Sequence, residues 1–247
     1  MKYSIIMPFY GMYELTHSRM YEFFKNLPHE DVEVILIDDG TNDHEVDGAV
    51  AFWQKQVNGQ KVRYRKHKEN LGFGASMNDG ASMADGEIII LYSNDVVCKG
   101  NFLPVISTML HDNGKLLIGG ELITFPSGWN DIDNVFAPYC NGWFLSCTKS
   151  GWNLIGGFDP IYGKFDYEDI DLSMKALSLG FELRSIPSTY VRHIGGQTIS
   201  RLPVEREPQT RKNGILFRNK WSGKTDFLLD LCLESDHVYS IRGKNER

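Results

Sequence analysis

The chain has 247 residues and a mass of 28.2 kDa, 42% hydrophobic and 23% charged, a length that allows one large domain or two small ones. Its 24 glycines and 9 prolines are ordinary counts, which excludes collagen-like, Pro-rich and wholly disordered chains. A net charge of −6 and a pI of about 5.7 argue against a protein that coats nucleic acid or an anionic membrane, although a local basic patch stays compatible with both.

Tyr3–Phe9 is an apolar run too short for a signal peptide and reads as a first strand. Met12–Leu27 places Leu15, Met20, Phe23, Phe24 and Leu27 on one helical face. Val32–Ile37 is a second buried strand, ended by Asp38-Asp39-Gly40-Thr41. A helix over Val46–Val57, a strand over Lys61–Lys66, a helix over Ala75–Ala84 and an almost wholly apolar strand over Glu87–Tyr92 follow. Asn101–His111 reads as helix and Leu116–Ile118 as strand. Alternating β and α with near-continuous Ile/Val/Leu strands predicts an α/β fold whose mostly parallel sheet is covered on both faces.

Residues 124–163 are rich in Gly and Pro and carry Trp129, Trp143 and Trp152, a pattern of loops. Tyr167–Leu179 is an amphipathic helix with Ile170, Met174 and Leu177 on its apolar face, followed by strands near Leu183–Ile186 and Tyr190–His193. From Glu205 the chain is polar and basic, then apolar over Phe227–Leu233. Cys98, Cys140, Cys147 and Cys232 have no CxxC spacing and read as buried free thiols in a reducing cytosol. The longest apolar runs, such as Ile88–Tyr92, are far below the roughly 20 residues that cross a bilayer. The expectation is a soluble cytoplasmic protein with at most peripheral membrane contact.

In open α/β sheets, ligands bind beyond the carboxyl ends of the strands. Here three such ends carry loop-competent polar residues, at Pro8-Phe9-Tyr10-Gly11, Asp38-Asp39-Gly40-Thr41 and Ser93-Asn94-Asp95. The first lacks G-x-G-x-x-G, which disfavours a dinucleotide enzyme, and no P-loop or G-x-S-x-G elbow occurs.

These turns resemble glycosyltransferase family 2, the inverting enzymes of GT-A fold. Ser4–Tyr10 is similar to the family's opening strand, and Ile37–Thr41 to its Asp-Asp-Gly-Ser turn. Asn70-Leu71-Gly72 with Asn78 and Gly80 resembles its Asn-x-Gly loop and helix, and Ser93-Asn94-Asp95 stands at its Asp-x-Asp metal motif. Gly156-Gly157-Phe158-Asp159 and Tyr167–Leu172 resemble its acceptor loop and Glu-Asp motif; Val191-Arg192-His193 and Lys220-Trp221 resemble its late histidine strand and Lys-Trp pair. The ordered set spans roughly residues 3–222 and implies a single GT-A catalytic domain over 1–222, with a donor half to about 98, an acceptor half beyond it, and a C-terminal extension over 223–247.

The resemblance implies a nucleoside-diphosphate sugar as donor and an acceptor hydroxyl on a glycan, a lipid-linked sugar, a protein or a modified DNA base, the last weakened by the acidic pI. Pro8, Tyr10, Asp39, Asn70, Gly72, Asn94 and Asp95 would line the donor, with Tyr10 packing on a ring and Asp39 accepting from a base N–H. Asp38 and Asp39 could instead serve only the turn. Asp95 and His193 would hold a divalent cation, Mn²⁺ or Mg²⁺, against the leaving diphosphate; Ser93 and Asn94 depart from the family's acids and remove negative charge there. Asp169 would be the base, with Trp143 on the acceptor wall and Glu168 and Asp171 on the acceptor side, either orienting the acceptor or holding the loop. An alternative makes Asp166 the N-cap of the following helix and Asp169 the third-residue acid of a capping arrangement. A non-catalytic nucleotide- or glycan-binding module and a sugar nucleotidyltransferase are the competing functions; Pro8–Gly11 lacks the Gly-rich basic loop of the latter.

Overall fold

A computed structural model describes residues 2–28, 31–42, 46, 50–54, 61–125, 127–133, 135–195 and 206–228. Its centre is β1 (Tyr3–Phe9), an apolar strand buried along its whole length. β1 is flanked in parallel by β2 (Val32–Asp38) and β4 (Ile88–Tyr92), and β2 carries β3 (Lys61–Lys66) as the outer parallel strand. Beyond β4 lie β11 (Phe144–Thr148), β6 (Leu116–Gly119) and β12 (Glu182–Ser185), giving seven strands in the order β12-β6-β11-β4-β1-β2-β3, while the short strands β7 (Leu122–Ile123) and β10 (Tyr139–Cys140), and β8 (Asp131–Ile132) and β9 (Val135–Phe136), pair as two small ribbons.

Strand alternation divides the interior into two cores. Ile6, Ile35, Ile37, Ile89 and Leu91 face one side, with Met77, Leu172 and Phe217 from the covering helices. Ile5, Met7, Val34, Leu36 and Ile90 face the other, with Met20, Phe23 and Ile106. Both faces of β1, β2 and β4 are thereby removed from water, which is why these strands are continuously apolar. The helices Tyr13–Asn26, Phe73–Met83, Leu103–Asp112 and Glu168–Ser178 lie within two residues of the expected boundaries. The expected Val46–Val57 helix is described only at 46 and 50–54, where it is helical; most of Phe227–Leu233, and Cys232, lie outside the described residues.

Residues 124–163 are not merely loop. β11 runs antiparallel between β4 and β6, and the helix Lys149–Ile155 follows, its N-cap Thr148 Oγ1 accepting from Gly151 N–H at 3.0 Å and its end marked by left-handed Gly156. Five strand residues between Gly- and Trp-rich flanks are too few for periodicity to show. β13 (Val191–His193) forms within one residue of the expected late strand but stands apart from the main sheet. It leaves the main sheet to pair with β5 (Val96–Cys98), setting His193 opposite Val96 and thus beside Asp95. Cys98, Cys140 and Cys147 are buried free thiols, and burial pushes Cys98 to about 11 and Cys147 to about 12. No helix among the described residues is long and apolar enough to cross a membrane.

The carboxyl ends of β1, β2 and β4 open on one rim, and the Phe73–Met83 helix presses against β1 and β2 beneath it. That approach depends on Gly80, where a Cβ would lie 2.3 Å from Ile6 Cγ2 and 3.3 Å from Ile37 Cγ1. Gly80→Ala should therefore destabilise the fold by about 1–3 kcal/mol, despite alanine's higher helix propensity. Urea unfolding measures this; an unchanged midpoint would contradict the packing described.

Candidate active site

The rim bounds a pocket of about 410 Å³. On one side, Asp38 is fully buried and serves the turn, accepting from Thr41 N–H at 2.8 Å and Tyr64 Oη–H at 3.1 Å. Asp39 reaches across to the next loop. Its Oδ1 accepts from Leu71 N–H at 2.8 Å and its Oδ2 from Gly72 N–H at 2.9 Å. One carboxylate thus holds the 70–72 loop as the pocket floor, and His67 Nδ1 supports it at 2.9 Å while Nε2 meets Asp79 at 3.2 Å. Burial opposes a charged His67 ring, but these hydrogen bonds keep its pKa above the ordinary histidine value. Gly72 has φ +97°, and a Cβ there would lie 2.3 Å from Lys164 Cα, so only glycine lets the floor meet the opposite wall.

Pro8, Tyr10, Asn70 and Asn94 also line the pocket. Asn94 donates its side-chain amide to Thr16 Oγ1 at 3.2 Å, which fixes the turn after β4 to the first helix. Sequence reasoning missed Ser76, one helical turn beyond Gly72. Ser76, Asn70 and Glu168 all line the pocket, and Ser76 Oγ, Asn70 Oδ1 and Glu168 Oε2 are buried in its wall without a hydrogen-bond partner among the described residues. Buried polar atoms normally have partners, so this part of the wall stands out.

Asp95 and His193 meet as the ribbon pairing requires. Asp95 Oδ2 accepts from His193 Nε2 at 3.2 Å and Oδ1 from Ser93 Oγ at 2.6 Å. Burial raises the Asp95 pKa, but the bonds from His193 and Ser93 bring the net value below the ordinary one. The His193 ring is stacked on Trp143, centroids 5.0 Å apart and planes 10° apart. Gly120 makes room for that indole, since a Cβ there would lie 2.1 Å from Trp143 Cη2. No group of three acidic, His or Cys ligands exists among the described residues. A carboxylate and an imidazole still fit a hard or borderline divalent cation whose other positions are filled by phosphate oxygens and water.

On the facing wall, the helix Glu168–Ser178 opens with Glu168 and Asp169. Its N-cap is Tyr167, with no side-chain capping bond, so the capping alternative for Asp166 is not what the fold uses. Asp166 instead accepts a forked pair of bonds from Arg206, at 2.6 and 3.0 Å. Asp169 Oδ2 accepts from Gly142 N–H at 2.9 Å and Oδ1 from Ile170 N–H at 2.9 Å. Burial outweighs these bonds and holds the Asp169 pKa above the usual carboxylate value. Burial, reinforced by the Asp169 charge, pushes Glu168 to about 8.

Asp171 is a correction. It does not line the pocket. Fully buried, its Oδ1 accepts from Tyr162 Oη–H at 3.0 Å and Trp221 Nε1–H at 2.8 Å, and its Oδ2 from Lys220 Nζ at 2.9 Å. Two residues along a helix turn a side chain to the opposite face, so Asp169 and Asp171 cannot share a site. The Lys220-Trp221 pair thereby serves the core. Trp152 packs in the core against Phe158, while Trp129 lines the pocket against Tyr167.

The model of the family described as glycosyl transferase family 2 matches residues 4–158. Polypeptide N-acetylgalactosaminyltransferase 5 of Mus musculus is 22% identical over 259 residues, which cover 87% of this chain and 28% of that protein. Glycosyltransferase GlyG of Streptococcus pneumoniae is 25% identical over 140 residues, 56% of this chain and 44% of that one. The chain thus spans less than half the length of these relatives. Among solved structures, GalNAc-T7 with UDP, GalNAc and Mn²⁺ superposes with a TM-score of 0.73 at 16% identity, covering 96% of this chain and 52% of that one. Mannosyltransferase PcManGT from Pyrobaculum calidifontis, in complex with GDP-Man and Mn²⁺, gives 0.63 at 14% identity, covering 96% and 77%. With sheet order, strand-end pocket and a match over more than half its length in agreement, this α/β chain has the GT-A fold and belongs to glycosyl transferase family 2.

Proposed function

We propose that the chain is an inverting glycosyltransferase, moving a sugar from a nucleoside-diphosphate sugar to an acceptor hydroxyl with Asp169 as base. One observation carries this reading. Adjacent residues join the two chemical halves: Gly142 N–H holds Asp169, and the Trp143 ring stacks on His193, which bonds Asp95. A base and a cation-binding pair on opposite sides of one pocket match the needs of a single displacement.

In this reading the donor nucleotide lies against Pro8, Tyr10 and the 70–72 floor that Asp39 pins. Asp95 and His193 would hold a divalent cation, which would supply Lewis-acid neutralisation of charge on the leaving diphosphate. GalNAc-T7 with UDP, GalNAc and Mn²⁺, and PcManGT with GDP-Man and Mn²⁺, support a divalent cation beside the donor in this fold. Asp169 takes the proton of the acceptor hydroxyl as its oxygen attacks the anomeric carbon. The bond from that carbon to the diphosphate oxygen breaks, and the electron pair leaves with the diphosphate. Glu168, whose pKa is raised by burial and by the neighbouring Asp169 charge, stands beside the base on the same wall as a polar partner for a sugar or acceptor hydroxyl. The partly apolar wall of Trp129, Tyr139 and Tyr167 suits the C–H face of a sugar.

Release of nucleoside diphosphate from a panel of UDP-GlcNAc, UDP-GalNAc and GDP-mannose with Mn²⁺ tests the activity, and binding without any turnover would leave only a binding module. Asp169→Asn should lower transfer by about 10²–10⁴-fold while UDP with Mn²⁺ still raises the melting temperature. Near-wild-type transfer by this variant would remove Asp169 as base. Asp95→Ala should abolish the Mn²⁺-dependent part of the UDP-induced shift, and an unchanged shift would count against the cation pair. The base must be ionised to act, and its pKa is raised. The acid limb of the kcat profile should therefore lie above the usual carboxylate pKa of about 4, the rate falling as pH drops through it. A plateau that persists to pH 4 would contradict this.

A further inference from the structure

The family match ends at Phe158, before both the Glu168-Asp169 pair and the helix Arg206–Trp221. What aims the pair must therefore be sought in this chain's own contacts. The backbone that delivers it is unusual. Asp166 and Tyr167 are consecutive non-glycine residues in the left-handed region, with φ +70° and +75°. Such a conformation is costly and persists only where its surroundings over-determine it.

One face of the Arg206–Trp221 helix provides those surroundings. Asn213, fully buried, donates from Nδ2 to the carbonyls of Tyr162, Phe165 and Asp166 at 2.7, 2.8 and 2.9 Å. Its Oδ1 accepts from Gln209 Nε2 at 2.8 Å, which fixes the orientation of the amide. Arg206 and Thr210 both bond the Asp166 carboxylate. One turn on, Gly214 faces Tyr167, where a Cβ would lie 2.7 Å from the hydroxyl oxygen and 3.0 Å from Cζ. That ring has little room to yield. It is 5% exposed and packed against Trp129 and Phe217 at centroid distances of 5.4 and 5.5 Å.

We infer that Asn213 and Gly214 are positioning residues for Asp169, holding the left-handed Asp166-Tyr167 turn that aims the Glu168-Asp169 pair into the pocket. Neither touches the pocket itself. The inference rests on the reading of Asp169 as base, and it makes the Arg206–Trp221 helix part of the catalytic apparatus.

Gly214→Ala separates positioning from support. Alanine favours a helix interior over glycine, so a helix that merely supports the fold should tolerate it with unchanged kcat. Positioning predicts a fall in kcat of about 10²-fold with the UDP–Mn²⁺ melting shift unchanged. Adding Tyr167→Phe removes the nearer obstructing atom, and kcat measured against Tyr167→Phe alone should recover much of the loss. Wild-type kcat in Gly214→Ala, or a loss that Tyr167→Phe leaves untouched, would overturn the inference. If Gly214→Ala does not fold, Thr210→Val, which removes a bond to the Asp166 carboxylate from outside the pocket, takes its place. A lowered kcat with an unchanged UDP shift supports positioning, and wild-type kcat overturns it. Asp169→Asn run in parallel keeps the two ideas apart. An active Asp169→Asn defeats the base assignment, whereas an inactive Asp169→Asn beside a fully active Gly214→Ala defeats only the positioning.

Discussion

The contact on which the pocket depends is a short turn, Gly142-Trp143, wedged between its two walls. The peptide N–H of one residue bonds Asp169, and the indole of the next lies flat on His193. Nothing bulkier than glycine is comfortable at 142, where a Cβ would lie 3.0 Å from Asp169 Cβ. This turn immediately precedes β11, whose pairing with β4 fixes where it stands. Sheet register therefore sets the spacing between the acidic wall and the Asp95–His193 pair, and both walls are located by main-chain hydrogen bonds more than by flexible side chains.

The donor side shows how a carboxylate acts as a structural part within a binding site. Asp39 uses both oxygens on backbone N–H groups of the 70–72 loop, with His67 behind it. A loop in this position has few apolar contacts with which to hold itself, and charge-assisted bonds replace them. Asp171 does comparable work on the far side of the Glu168–Ser178 helix, joining Tyr162, Lys220 and Trp221. Part of the chain's acidity is therefore committed to internal bonding rather than to the outer surface.

The parallel half of the fold was legible in the sequence because its strands are buried on both faces and read as unbroken apolar runs. β1 and β3 match the expected bounds, and the strand-end turns converge as strand direction requires. β11 was not legible. It is short and antiparallel, and its alternation is hidden by Gly142 and Trp143 before it and the helix after it. Among the site residues, Asp95, His193, Glu168 and Asp169 stood out through motif order, while Ser76 is an ordinary helical serine until its missing partner is seen. Asp171 was misplaced by counting acids in a cluster without turning them through the helix period. The Asn213 contacts carry no local signal, because three carbonyl acceptors some fifty positions away define them.

The insertion of β11 between β4 and β6 also bears on the order in which the chain can be assembled. Until residues 144–148 are available, the apolar Ile88–Tyr92 strand has a partner only on its β1 side. The residues that precede β11 emerge before it from synthesis, with this edge open. An open, flat, apolar edge is a template for pairing with another chain. Closing it brings Gly142 and Trp143 into place in the same event, so protection against aggregation and completion of the pocket are achieved by one strand.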